Sequence, residues 1–197
     1  MLNNKPGNYK IILASGSPRR QQYLRDLNID FEIRLKEVDE VYPDTLQGAE
    51  ITDYLAKLKA AAMDAAQDEI IITSDTIVWH ENTALGKPRD YDHAFAMLKS
   101  LMGKTHEVIT SVCFKTAHTL EVLNETTRVT FNPISDAEIK YYLDNYKPYD
   151  KAGAYGIQEW IGLVAIARIE GSYNNVVGLP VDKVYCYLNN FFKNASV

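Results

Sequence analysis

The sequence predicts an α/β protein organised around a mixed β-sheet, and three observations carry that prediction. Short apolar runs alternate with amphipathic helical stripes through the first half of the chain. Two long β-rich runs then follow one another with only a polar turn between them. Helical spacing returns in the last third.

Lys10–Ala14 reads as a short buried strand, and Ser15-Gly16-Ser17-Pro18 leads from it into a helix. Ser17 is a good N-cap and Pro18 suits the first helical turn. Arg20, Tyr23, Leu24 and Leu27 then fall at i, i+3, i+4 and i+7. Phe31–Leu35 is a second strand. A longer helix spans Ala49 to Gln67, with Ile51, Tyr54, Leu55, Leu58 and Ala62 on one face. Glu69–Trp79 is the strongest strand pattern, interrupted by the polar trio Thr73, Ser74 and Asp75. Asp90 caps a helix striped by Ala94, Met97, Leu98 and Leu101. Glu107–Phe114 and Glu121–Phe131 are the two adjacent strands. Ser135 and Glu138 form a capping-box pair ahead of a helix bearing Ile139, Tyr142, Leu143 and Tyr146. Ile161–Ile169 reads as a further strand, and Pro180 opens a last helix with Val181, Val184, Leu188 and Phe191.

A chain of 197 residues, 46% hydrophobic and 24% charged, supports one good-sized core or two small lobes sharing one. No linker, repeat or low-complexity stretch marks a boundary, so a single domain over 1–197 is expected. No apolar run approaches the roughly 18–20 residues of a membrane span. Met1–Tyr9 is polar and lacks the apolar core of a secretion signal, which points to the cytoplasm. Cys113 and Cys186, far apart in apolar surroundings, are expected to be two buried small hydrophobes. The net charge of −5 argues against a nucleic-acid polymer as partner, since such proteins usually present a basic face. Phosphate chemistry in this chain must therefore use a few concentrated cations.

Four places can gather such chemistry. The first is Ser15-Gly16-Ser17-Pro18-Arg19-Arg20, where helix N–H groups, hydroxyls and two guanidiniums suit phosphate oxygens. A capped helix with two surface arginines fits the same spacing equally well, although Arg20, on the apolar stripe, should lean inward. No G-x-x-x-x-G-K-[ST] motif is present. The second is Asp75, a carboxylate inside the most apolar run, which must be paired, metal-bound or at a sheet end. It is either a catalytic or metal-binding group or a turn-forming Asp with satisfied hydrogen bonds. On the long helix, Lys57 points away from the stripe, while Lys59 lies at its edge and can reach over the margin of the core. Finally, Gly86-Lys87-Pro88 holds Lys87 on a constrained loop, either a plain turn or a site. Two further stretches complete the set. Glu37, Asp39 and Glu40 form an acidic loop, solvated or a second source of metal oxygens. Lys151–Gln158 has two glycines that allow a ligand close to the backbone.

Taken in order, Ser15–Arg20, Ser74-Asp75-Thr76, Gly86–Asp90, Lys151–Gln158 and Gly171–Pro180 resemble the Maf proteins from about Lys10 to Phe191. The resemblance implies an elongated, twisted mixed sheet with flanking helices and two lobes around a central cleft, like that of inosine triphosphate pyrophosphatases. It also implies nucleoside triphosphate pyrophosphatase activity. By motif position, Asp75 corresponds to the family's catalytic base. Ser15, Arg19, Arg20, Lys59 and Lys87 correspond to substrate contacts, Glu40 to the acidic one that joins Asp75 around a metal, and Lys59 rests on an ungapped count from Glu40. Ala152–Gln158 looks like the subgroup preferring dTTP and UTP, in which Arg19, Thr76 and Gln158 are tied to specificity.

The implied reaction is attack of water on the α-phosphorus, with pyrophosphate leaving onto Arg19, Arg20, Lys59, Lys87 and a divalent cation, Mg²⁺ or Mn²⁺. An ordinary Asp, with pKa about 3.9, is a weak base for water, so Asp75 needs a metal that acidifies the water or burial that raises it. The competing expectation is a nucleotide-binding protein without turnover that inhibits septum formation through protein contacts. Whether the chain forms a homodimer is left open by the sequence.

Overall fold

The computed structural model describes residues 9–194, so the expectation for Met1–Tyr9 falls, Tyr9 aside, outside the described residues. Seven strands make one mixed sheet: β1 (Lys10–Leu13), β2 (Phe31–Ile33), β3 (Glu69–His80), β4 (Thr83–Leu85), β5 (Thr105–Lys115), β6 (Leu120–Phe131) and β7 (Ile166–Glu170). Their order is β2-β1-β3-β5-β6-β7, with β4 paired to β3. Within the described range the chain divides into two compact units. The first holds the chain up to Asp75, Thr110–Asn124 and the chain from Gly178 onward. The second holds Thr76–Ile109 and Glu125–Val177.

In the first unit β1 runs parallel to both β2 and β3, with Ile11 opposite Ile70 and Leu13 opposite Ile72. Ile11, Ile12 and Leu13 are all buried, as a strand covered on both faces requires. On one face Ile11, Leu13, Ile70 and Ile72 meet Leu24 of α1 (Pro18–Asp26) and Val184, Leu188 and Phe192 of α7 (Val181–Asn194). On the other, Ile12 and Ile71 pack with Met63. Ala56 and Ala60 of α2 (Ala49–Ala61) close on Cys113 of β5. Full burial of each such aliphatic side chain contributes about 1.5–3 kcal/mol. A nine-residue helix such as α1 is marginal in water by itself, so this packing is what holds it.

Three expectations are corrected here. The second helix ends at Ala61 rather than Gln67. Met63 turns inward to Ile12 and Ile71, and the following loop is drawn up by Glu69, whose carboxylate accepts from Ala66 N–H at 3.1 Å and from Arg34 at 2.6 and 3.0 Å. That clamp starts β3 where a longer helix would run on. Cys113 is buried as expected, but Cys186 is exposed, on the outer face of α7. Finally, Thr73, Ser74 and Asp75 do not interrupt β3; all three are buried within it.

The second unit packs α3 (Tyr91–Leu101), α4 (Asp136–Tyr146) and α5 (Trp160–Val164) on Val78, Val108, Val129 and Phe131. Asp90 caps α3 through His93 N–H, and Ser135 with Glu138 makes the expected capping box on α4. The run Ile161–Ile169 is not one strand: its first half is α5 and only Ile166–Glu170 is β7. A strand would bury Ile161, Leu163 and Ala165 together. The chain instead buries Ile161 and Ala165, joined by Ala165 N–H to Ile161 O at 2.8 Å, and leaves Leu163 84% exposed. That is helical spacing. A short helix α6 (Tyr173–Val177) and a single 3₁₀ turn over Ala152–Ala154 complete the unit. Among the described residues no helix is long and apolar enough to cross a membrane.

Candidate functional site

Register places Asp75. Pairing of β1 with β3 ends at Leu13 opposite Ile72, with Ala14 N–H reaching Ile72 O at 2.9 Å. Residues 73–75 therefore lie just past the carboxyl end of β1, where α/β sheets collect their sites. Strand alternation turns Thr73 and Asp75 to one face and Ser74 to the other. The Thr73 hydroxyl donates to Ala56 O of α2 at 2.6 Å and so docks that helix on the Asp75 face. One turn further along α2, Lys59 Nζ donates to Asp75 Oδ1 at 2.7 Å. The same ammonium stands 3.0 Å from Glu40 Oε1. Glu40 reaches in from an exposed acidic loop, while Lys57, two residues from Lys59, is on the exposed side of α2.

Ser15 to Arg20 form a tight turn into α1. Ser17 Oγ accepts from Arg20 N–H at 3.5 Å as the N-cap, and Ser15 Oγ accepts from Ser17 N–H at 3.3 Å. The Arg20 guanidinium does lean inward. Its Nε donates to Gly178 O at 2.8 Å, and Nη1 donates to Ser74 O at 2.9 Å and to Ser15 Oγ at 3.5 Å. Gly178, at φ +125°, adopts a backbone conformation that side chains disfavour. Arg20 thus ties the opening turn, the strand bearing Asp75 and the Gly-Leu-Pro turn into one assembly. Burial pushes its pKa below the usual value; Asp75 opposes that, Arg19 adds to it, and Glu40 opposes it. The guanidinium stays charged at neutral pH. Arg19 is half-buried in the first turn of α1.

The structure therefore brings Ser15, Arg20, Lys59, Asp75 and Glu40 into one linked set in the first unit. Thr76, Lys87 and Gln158 belong to the second unit. Thr76 is half-buried on β3 and shares a face with Val78. Val78 fits against Gly153, where an added Cβ would stand 2.7 Å from Val78 Cγ2. Gly153 N–H donates to Gly86 O at 3.0 Å and so fastens the Lys87 loop to the Lys151–Gln158 segment. Lys87 and Gln158 are both exposed. Sequence reading missed the Ser74 and Gly178 carbonyls as acceptors for Arg20, although the motifs containing both had been noticed. It gave no role to Glu159, or to Tyr142 beyond its helical stripe, although the Tyr142 hydroxyl bonds to Gly156 and Glu159 on either side of Gln158, and it named Lys151 only as the start of the Lys151–Gln158 stretch.

The two carboxylates converge on a single cation, the Lys59 ammonium. Hard oxygen donors of this kind suit Mg²⁺ or Mn²⁺ when phosphate oxygens and water complete the shell. A protein-only cage is not what this chain offers: among the described residues no group of three or more His, Cys, Asp or Glu is placed to hold an ion.

The family described as "Maf-like protein" matches residues 10–191. A dTTP/UTP pyrophosphatase from Flavobacterium psychrophilum is 65% identical over 192 residues, covering 96% of this chain and 98% of that protein. One from Bacteroides fragilis is 51% identical over 180 residues, covering 90% and 93%. Among solved structures, the Ham1 protein of Staphylococcus aureus aligns with a TM-score of 0.54 at 13% identity, covering 92% of this chain and 99% of that one. The HAM1 protein of Coxiella burnetii aligns at 0.51, also at 13% identity, with the same coverage. These two likenesses establish a shared α/β fold.

Proposed function

The chain belongs to the Maf family, and on that premise we propose that it hydrolyses nucleoside triphosphates, dTTP and UTP in particular, to the monophosphate and pyrophosphate. The observation that carries the chemistry is the Glu40–Lys59–Asp75 set, a buried carboxylate held by a cation beside the Ser15–Arg20 turn. Asp75 Oδ1 is fixed by Lys59, and Oδ2 takes the proton from a water. The water oxygen bonds to the α-phosphorus as the bridging bond to the β-phosphate breaks, and its electron pair leaves with pyrophosphate. Lys59 and Arg19 offset the charge of the leaving group, with Lys87 proposed as a further phosphate contact. Arg20 holds Ser15 and Ser74 in place while contributing its charge.

Asp75 and Glu40 would hold a divalent cation, Mg²⁺ or Mn²⁺, which when bound neutralises phosphate charge and acidifies a water. Gln158, with one amide donor and one acceptor, matches the N3–H and carbonyl edge shared by uracil and thymine. Thr76 is proposed alongside it as a specificity residue, as is Arg19. The cytoplasm, where these nucleotides are, is the proposed location.

Asp75→Asn tests the reading, because it keeps the volume and an oxygen for Lys59 but removes the base. Pyrophosphate release from dTTP with Mg²⁺ should fall by about 10³-fold while the protein stays folded. Near-normal turnover of that variant would overturn the base assignment. A wild-type protein that binds dTTP but releases no pyrophosphate, with a chelator control, would favour binding without catalysis. Release of free phosphate instead would mark a γ-phosphatase.

A further inference from the structure

Resting on that reading, we infer that Tyr142 is a positioning residue for base selection: through Gly156 and Glu159 it fixes where Gln158 presents its amide. Gln158 is exposed and sits in a stretch containing two glycines with no regular structure beyond one 3₁₀ turn. An amide on such a loop would sample many orientations. Discrimination between bases needs it held in one.

The residues on either side of it are held. Tyr142 lies on α4, fully buried. Its hydroxyl accepts from Gly156 N–H at 3.0 Å and donates to Glu159 Oε2. Glu159 Oε1 stands 3.0 Å from Lys151 Nζ, whose side chain is only 10% exposed and which also pairs with Asp150 at 2.8 Å. Ile157, between the two anchored points, is buried in the core of the same unit. Gln158 is therefore bracketed by Gly156 before it and Glu159 after it, both on one phenol. Its amide also folds back toward the first of them: a Cβ on Gly156 would stand 3.0 Å from Gln158 Nε2. Any movement of Gly156 or Glu159 moves that amide.

The phenol is suited to this role. Burial and the adjacent Glu159 carboxylate push its pKa well above the usual tyrosine value, so the hydroxyl remains a donor and an acceptor at once. Tyr155 is anchored separately, its hydroxyl 2.8 Å from His106 Nε2, so the strand-side end of the segment keeps its place when Tyr142 is altered.

The test is Tyr142→Phe, with kcat and KM measured by pyrophosphate release on dTTP, UTP, dCTP and dGTP. The dTTP:dCTP ratio of kcat/KM should fall by about tenfold, mainly through a higher KM for dTTP and UTP, as expected for a lost binding contact. Glu159→Ala, at a side chain 18% exposed, is the second variant and carries the test if Tyr142→Phe fails to fold. Glu159→Gln keeps an acceptor for the Tyr142 hydroxyl and should restore most of the selectivity. A merely structural role would slow every nucleotide by one factor and leave the ratio alone. That result, or an unchanged ratio in both Tyr142→Phe and Glu159→Ala, overturns the inference while the pyrophosphatase reading stands. A wild-type protein inactive on all four nucleotides overturns both.

Discussion

At the scale of single residues, one ammonium serves two carboxylates. Lys59 is 19% exposed, Asp75 9% and Glu40 50%, so the pair with Asp75 is mostly sheltered and the pair with Glu40 is half in water. An exposed ion pair contributes about 0–1 kcal/mol, whereas stripping one partner from a buried pair costs about 3–5 kcal/mol. Lys59→Met falls between these limits, because it strands Asp75 while Glu40 can turn to solvent. The expected thermal midpoint is lower by about 3–6 °C. Turnover on dTTP should fall by about 10²-fold, the scale of one lost electrostatic contact to a phosphoryl transition state. Differential scanning calorimetry and a pyrophosphate assay check the two parts; a variant with wild-type turnover would remove Lys59 from the site. The sequence placed Lys59 at the edge of its helical stripe; its side chain is indeed only 19% exposed, although the buried face of α2 is Ile51, Thr52, Leu55, Ala56 and Ala60, with Tyr54 exposed. The partner of Lys59 was out of reach of spacing arguments, because the pairing depends on Thr73 docking α2 against β3 through Ala56 O. Arg20 shows the same division: its inward lean followed from the stripe, but its two carbonyl acceptors come from residues 54 and 158 positions away.

At the scale of elements, what was legible was local. Ser17, Asp90 and Ser135 cap the helices they were expected to cap, because a cap is decided by atoms within one turn. The apolar run at Ile161 was not legible, because period two and period 3.6 both place Ile161 and Ala165 on one side over so short a stretch. Gly162 decides for the helix. A Cβ there would stand 1.7 Å from Ile157 O and 2.6 Å from Ile157 C, so only glycine permits α5 to close against the backbone before Gln158. Gly162→Ala must therefore displace main chain rather than a flexible side chain, a cost at the top of the about 1–3 kcal/mol range for overpacking. A thermal midpoint lower by about 6–12 °C is expected. An alanine variant that melts with wild type would show that α5 does not make this close approach.

At the scale of the whole molecule, two acid-sensitive groups, one from each unit, act in the same direction. In the second unit His106 is 2% exposed, with Nε2 on Tyr155 and Nδ1 buried without a partner beside the Phe131 ring. Burial, with a smaller contribution from His80, depresses its pKa from 6.5 to about 3. In the first unit the hydrogen bonds from Arg34 bring Glu69 from 4.5 to about 2, against the opposing effect of burial. In both cases the folded pKa lies below the unfolded one, so between the two values the unfolded chain binds more protons and stability rises with pH. The contribution of His106 is complete above pH 6.5 and is lost as pH falls toward 3. That of Glu69 is complete above 4.5 and is lost toward 2. Urea unfolding should therefore show stability declining already between pH 6.5 and 5, by about 1–2 kcal/mol, and declining more steeply below 4.5. His106→Phe removes the titrating ring and leaves Tyr155 without its partner, so it should be less stable at pH 7 and yet flatter between 6.5 and 5. Arg34→Met should spare that upper range and flatten the decline below 4.5. A wild-type profile level from pH 7 to 5, or a His106→Phe profile parallel to it, would show that the imidazole accepts its proton without opening the core.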